Sequence, residues 1–196
     1  MVVDLNAVAA EACAKHGASQ IAEELAEALA LVQDIDPRVI VEIGCDSGGT
    51  LYAWSQICAR VYGITLEVND YASGGSNHPL TRHGADVRIG DSHNYESYHW
   101  LTQKLDGHKI SALIIDGDHS LHGVYNDIAM YAPLVRRGGL VLIHDITVTR
   151  DPRCMVWKAW PEFHDNDQFD TAEIVSMSDR RIGWGVIYVK GGEPWD

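Results

Sequence analysis

Short apolar runs rich in β-branched residues alternate along this chain with segments whose apolar residues fall at helical spacing. This alternation constrains the fold more than any other feature. Runs such as residues 39–43 and 111–115 carry almost no polar side chain, so strands built from them need cover on both faces. Helices between the strands supply that cover, and also the long crossovers that parallel strands require. Seven such runs occur, at residues 39–43, 61–66, 86–89, 111–115, 140–143, 172–176 and 182–189. The expected fold is α/β: a Rossmann-like, doubly wound, mostly parallel seven-stranded sheet with an antiparallel last strand.

The intervening segments read as helices with identifiable punctuation. Ile21, Leu25, Leu29 and Val32 mark an amphipathic helix over residues 19–33, with Glu23, Glu24 and Glu27 on its surface. Residues 2–16 are helix-like and offer a face for a partner subunit or for the chain's own sheet. Leu121, Val124, Ile128, Tyr131 and Leu134 mark a strongly periodic helix, expected to end in Arg136-Arg137 with Gly138-Gly139 beyond. Asp151-Pro152 has the pattern of an N-cap followed by proline, with Trp157 and Trp160 on the helix and Pro161 ending or kinking it. Residues 69–84 are rich in Gly, Ser, Asn and His and read as a loop able to cover a substrate. No repeat or linker divides the chain. One domain over residues 1–196 is expected, with N-terminal helices at 1–34 and a Rossmann-like core at 38–190.

Charge and cysteine content exclude several functions. Fifteen Lys and Arg against 28 Asp and Glu leave a net charge of −13, which repels a phosphate backbone, so a nucleic-acid partner is not expected. The four cysteines (Cys13, Cys45, Cys58 and Cys154) form no Cys-x-x-Cys pair. No stretch approaches the ~18 apolar residues of a membrane span, and the start lacks a basic segment followed by an apolar one. A cytoplasmic location with reduced thiols and no membrane partner is the expectation.

Polar residues gather where the strands end. They are Gly44-Cys45-Asp46, Gly90-Asp91-Ser92, Asp116 to His119, and His144-Asp145. In doubly wound sheets, ligands bind at the carboxyl ends of the strands. The first cluster belongs to Glu42-Ile43-Gly44-Cys45-Asp46-Ser47-Gly48-Gly49-Thr50. Its spacing is neither the Gly-x-Gly-x-x-Gly of dinucleotide sites nor a phosphate-binding Gly-Lys-[Ser/Thr] loop. Carboxylates at Glu42 and Asp46 would repel pyrophosphate and suit a ligand bearing an amino group.

This pattern resembles the class I S-adenosylmethionine (SAM)-dependent methyltransferases, over about residues 19–190. Glu42-x-Gly44-x-x-x-Gly48 matches their first motif, and Gly90-Asp91-Ser92 resembles the segment they place beside the adenine ring. Asp116-Gly117-Asp118-His119-Ser120, followed by a helix, Gly138-Gly139 and Ile143-His144-Asp145, resembles the cephalosporin-hydroxylase-like and macrolide-sugar O-methyltransferase group. More distantly it resembles the metal-using catechol O-methyltransferases. The resemblance implies that Gly44, Gly48 and Gly49 shape a loop around the methionine part of SAM, with Glu42 supporting or contacting it and Asp46 beside it. Asp91 and Ser92 would hydrogen-bond the adenine. The acid that commonly grips the ribose is replaced by Thr65, with Glu67 as its substitute if the strand runs longer.

The same resemblance implies a divalent-metal site at Asp116, His144 and Asp145, with Asp116 also beside the cofactor. Oxygen ligands suit Mg²⁺, whereas the imidazole of His144 suits Mn²⁺, Fe²⁺ or Zn²⁺. His144 can also serve by orienting a ligand. Asp116 and Asp145 can alternatively cap turns at their strand ends. His119 occupies the place of a base near the substrate hydroxyl, or else bonds a backbone carbonyl at a helix start. The expected function is a metal-assisted O-methyltransferase acting on a small-molecule hydroxyl, a sugar or a vicinal diol. Two alternatives stay open: a SAM-binding protein without transfer activity, and another α/β enzyme such as a metal-dependent hydrolase. Tyr95, Trp100, Trp157, Trp160 and Trp184 are core candidates, with Trp157 or Trp160 able to line an acceptor pocket.

Overall fold

A computed structural model describes residues 3–66, 80–149, 151–176 and 182–192. Helices α1 (Leu5–Lys15) and α2 (Ala22–Asp34) precede β1 (Ile40–Ile43), α3 (Gly49–Ser55) and β2 (Val61–Thr65). A short β3 (Leu80–Arg82) and β4 (Ala85–Ile89) lead to α4 (Tyr95–Leu105), β5 (Ile110–Ile115) and α5 (Leu121–Tyr131). Then come β6 (Val135–His144), α6 (Val156–His164), β7 (Asp170–Ile174) and β8 (Trp184–Tyr188). Among the described residues no helix is long and apolar enough to cross a membrane.

The strands form one sheet in the order β3-β4-β2-β1-β5-β6-β8-β7. β4, β2, β1, β5 and β6 are mutually parallel, and β8 is antiparallel to both β6 and β7. The doubly wound architecture with its antiparallel last strand is as expected. The sheet has one strand more than the seven expected, because β3 pairs antiparallel with β4 in the segment read as loop. A three-residue edge strand has no room for an alternation that a sequence reading could detect.

Side-chain alternation sorts the central strands onto two helical layers. Ile40, Ile114, Leu140 and Val186 pack with α1, α2 and α3, where Leu25, Leu29 and Trp54 are buried. Val41, Ile43, Leu113 and Ile143 pack with α4, α5 and α6, against Leu101, Val124 and Trp160. β1 and β5 are buried along their whole length. The order of connection reverses between β1 and β5, which opens a crevice beyond their carboxyl ends.

Three local expectations are corrected. Arg136 and Arg137 belong to β6, because Pro133 ends α5 in a 3₁₀ turn over Ala132–Leu134. α6 begins at Val156, while the Asp151 carboxylate accepts from the backbone and guanidinium of Arg153 in the preceding turn. Of the two outcomes expected at Pro161, the helix does not end there, since the proline lies inside α6. Glu24 is buried, since its two carboxylate oxygens accept from the backbone N–H groups of Ser176 (2.8 Å) and Gly183 (3.1 Å). Helix α4 answers to no sequence expectation; only Ser97, Leu101 and Leu105 of it are buried, too few for a clear apolar stripe.

Candidate active site

The turn after β1 is made by backbone conformations that few residues tolerate. Gly44 and Gly48 have φ of +88° and +85°. A Cβ on Gly44 would stand 2.1 Å from the Asp116 carbonyl oxygen, so only glycine lets the ends of β1 and β5 meet. A Cβ on Gly49 would stand 2.2 Å from the backbone nitrogen of Ala18. The connection between α1 and α2 therefore lies directly on the glycine turn, and the Ser47 hydroxyl donates to the Gly17 carbonyl (2.9 Å) to hold it there.

Two cavities open beyond this turn. One of about 320 Å³ is lined by Gly44, Asp46, Gly49, Asp116, His144 and Asp145, together with the connection at Gly17 to Gln20. The other, about 370 Å³, is lined by Thr65, Leu66, Gly90, Asp91, Ser92 and Asp118. Gly44, Gly117 and His119 line both, so the two form one trough across the crevice. Glu42 and Gly48 stand behind its wall. Glu42 is wholly buried on the α3 side of the sheet, where Oε1 accepts from Trp54 Nε1 (3.2 Å) and Oε2 has no partner. Burial pushes the Glu42 carboxyl up to about 8, the Asp116 charge adding to it and the neighbouring Thr50 and Trp54 side chains opposing it more weakly. Glu42 lines neither cavity. Glu67 and His78 lie outside the described residues.

Asp116 directly follows β5 and is the hub of the first cavity. Its Oδ1 lies 3.1 Å from His119 Nε2 and 3.1 Å from His144 Nδ1, and its Oδ2 accepts from Gln20 Nε2 at 2.7 Å. Asp145 Oδ2 lies 3.5 Å from His119 Nε2 and 3.8 Å from His144 Nδ1. His144 reaches this point because β6 is the parallel neighbour of β5. Its ring packs against Trp184, its register partner on β8, with centroids 4.3 Å apart. Asp145 sits at φ +63°, a left-handed conformation held by the surrounding chain.

The charges of this cluster are interlocked. Burial opposes ionisation of Asp116, but the His144 and His119 rings outweigh it and hold the carboxyl well below the usual carboxylate range. The bond to Asp116 raises His119 to about 9, opposed by burial and reinforced by the charges of Asp116, Asp145 and Asp118. Burial works against a charged His144, yet Asp116 raises its pKa overall. Ligand atoms of Asp116, His144 and Asp145 lie within 4.8 Å of one another, close enough to share one cation. His144 Nε2 and Gln20 Oε1 are buried without partners. Two carboxylates with one imidazole suit a divalent ion from Mg²⁺ to the first-row transition metals.

Behind the second cavity stands one residue that sequence reading did not single out, Asp127. The Ser92 hydroxyl donates to Asp127 Oδ1 (2.8 Å), and Tyr131 donates to the Ser92 carbonyl (2.5 Å). Asp127 is wholly buried on α5 with Oδ2 unpartnered, and burial pushes its carboxyl up to about 6. Asp91 Oδ1 accepts from the His93 backbone (2.9 Å). Gln20 and Asp127 were both missed. Asp127 had one signal, a lone acid on the apolar face of α5 between Val124, Ile128 and Tyr131; Gln20 had none. Trp160 and Trp184 are core residues, Trp160 donating to Glu173 Oε1 (2.6 Å). His122 is exposed.

Known proteins bear on this arrangement. No curated protein matches the chain. Among solved structures, the MycE methyltransferase of the mycinamycin biosynthetic pathway, in complex with Mg, SAH and mycinamycin VI, superposes with a TM-score of 0.65 at 16% identity. The match covers 98% of this chain and 56% of MycE, so this chain spans little more than half of that protein. The O-methyltransferase TomG from Streptomyces achromogenes, involved in tomaymycin synthesis and solved with SAM, gives a TM-score of 0.61 at 14% identity, covering 97% and 92% of the two chains. An O-methyltransferase from Bacillus cereus in complex with SAH gives 0.61 at 16% identity, covering 95% and 90%. These likenesses show a common fold. The sequence model of a methyltransferase domain matches residues 41–146, which run from the glycine turn to the end of the Asp116–His144–Asp145 cluster. That span is more than half of the chain, and the chain belongs to this methyltransferase-domain family.

Proposed function

We propose that the chain is a SAM-dependent, metal-assisted O-methyltransferase for a small-molecule hydroxyl, on a sugar or a vicinal diol. The observation that carries the reading is the convergence of Asp116, His119, His144 and Asp145 beside the glycine turn at the switch point of the sheet. MycE and TomG were solved with SAH and SAM respectively, and MycE with Mg.

The methionine part of SAM would lie against Gly44, Asp46 and Gly49, in a turn shaped by the close approach of Gly44 to Asp116 and of Gly49 to Ala18. The adenosine part would occupy the second cavity, with Thr65 near the ribose and Asp91 and Ser92 at the base. Ser92 has its hydroxyl proton committed to Asp127 and its carbonyl to Tyr131, so its hydroxyl lone pairs remain for the ligand. Asp116, His144 and Asp145 would hold the divalent ion, and Gln20 fixes Asp116 Oδ2 from the N-terminal connection.

Transfer needs the acceptor oxygen to lose its proton as it attacks the sulfonium methyl in line. A divalent ion, when bound, lowers the pKa of a hydroxyl beside it. His119 Nε2 is the atom placed to take that proton. While Asp116 and Asp145 both act on its ring, His119 stays protonated up to about pH 9. It becomes a base when those carboxylates are engaged elsewhere, so the base and the cation site are coupled through shared acids.

Calorimetric titration with SAM and SAH, with Mg²⁺ or Mn²⁺ and after chelation, tests the binding half of this reading. Mass-spectrometric screening of sugars and diols tests the transfer half. Micromolar binding and one methylated product are expected; absence of binding in every buffer would overturn the reading.

A further inference from the structure

Asp145 belongs to two groups of potential ligands. Besides Asp116 and His144, it stands with His119 and Cys154, and the ligand atoms of this second triad also lie within 4.8 Å of one another. The two triads differ in chemistry. The first offers two carboxylates and an imidazole, whereas the second offers an imidazole, a carboxylate and a thiol. A mixed N, O and S set of three with an open fourth position is a zinc-type arrangement, and sulfur is a poor ligand for Mg²⁺.

The main chain builds this second triad. The Met155 N–H donates to the His119 carbonyl at 2.7 Å, and the Cys154 N–H donates to the Asp151 carbonyl at 3.2 Å. The second bond closes the turn before α6 and the first ties it to the segment leading into α5, so the cysteine is held beside the histidine by backbone. Cys154 is buried, and burial raises its thiol pKa. The proposed transfer reaction leaves this thiol without a task.

We propose that His119, Asp145 and Cys154 form a thiophilic cation site, taking Zn²⁺ or a comparable borderline ion, distinct from the oxygen-rich site at Asp116, His144 and Asp145. As the metal–sulfur bond forms, the S–H bond breaks and its proton passes to the buffer. The two sites cannot be filled independently, because both draw on Asp145. A thiophilic ion would also occupy His119, so it would displace the hard cation and inhibit transfer; this consequence rests on the function proposed above, while the binding itself does not.

Cobalt(II) titration of the full chain tests the site by absorbance. The expected result is a thiolate-to-cobalt charge-transfer band in the wild type, erased by added Zn²⁺ and missing from Cys154→Ser. Zinc affinity should fall at least about tenfold in that variant. A wild-type spectrum without the band, or a band that survives in Cys154→Ser, would overturn the proposal. Alkylation of wild-type Cys154, followed by mass spectrometry, keeps the test open if the variant fails to fold. Zn²⁺ should slow that labelling and Mg²⁺ should not; equal labelling rates with and without Zn²⁺ would again overturn it. SAH calorimetry on the same preparation separates the two claims, since lost SAH binding sinks the methyltransferase reading and leaves the cobalt result standing.

Discussion

Glu42 combines two properties that together disfavour an ionised carboxyl. It is wholly buried, and only one of its carboxylate oxygens has a hydrogen-bond partner. Its pKa in the folded chain is about 8, above the ordinary carboxyl value of 4.5. An acid raised by folding favours its protonated form, so the folded state suffers no penalty below about pH 4.5. The penalty grows as pH rises and is complete above about 8, at on the order of a few kcal/mol. Glu42→Gln should therefore match the wild type in urea unfolding at pH 5 and become progressively more stable than it toward pH 9. A pH-independent difference would show that Glu42 ionises freely in the fold. In the proposed transfer, His119 is the proton acceptor. His119→Ala should retain SAH affinity within a few-fold and lose transfer rate by roughly 10²–10⁴-fold, as read by single-turnover mass spectrometry. Both residues were legible in the sequence, because each sits beside a motif at a strand end. Gln20 was not, since its bond to Asp116 spans 96 residues and no local pattern announces such a contact.

At the level of elements, the site depends on how closely the connection between α1 and α2 approaches the start of α3. The space left for a Cβ at Gly49 is nil, because the Ala18 backbone nitrogen would stand 2.2 Å away. Gly49→Ala should destabilise the fold by about 1–3 kcal/mol and weaken SAH binding, because the clash is with backbone and cannot be relieved by a rotamer change. Equal thermal midpoints for the variant and the wild type would contradict this packing. The strands with buried runs on both faces were legible. The helix boundaries were less so. Pro133 ended a helix that apolar spacing extended to Leu134, and Pro161 was accommodated inside α6 although proline usually breaks a helix interior. Helix α4 lacked a stripe because Tyr95, Glu96, His99 and Gln103 face outward in close succession.

Across the whole molecule, Glu24 ties the first helical layer to the far end of the sheet. It accepts two backbone N–H bonds, one from each end of the connection between β7 and β8. Ile182, at the end of that connection, lines the first cavity. Glu24→Ala leaves two backbone donors without their acceptor and should cost about 2–4 kcal/mol, measured as a shift in the urea midpoint. A near-neutral effect would mean that water replaces both bonds.

The sequence by itself determined the alternation of strands and helices, the two-sided burial of the central strands, and the place of Asp116, His119, His144 and Asp145 at strand ends. These follow from local periodicity and turn chemistry, which act over a few residues. The tertiary structure alone decided which side chains meet. It brought Gln20 onto Asp116, Cys154 beside His119 and Asp127 beneath Ser92, and it buried Glu24 and Glu42. Such contacts join positions far apart in the chain. They arise from strand order and helix docking, and no stretch of the sequence encodes them alone.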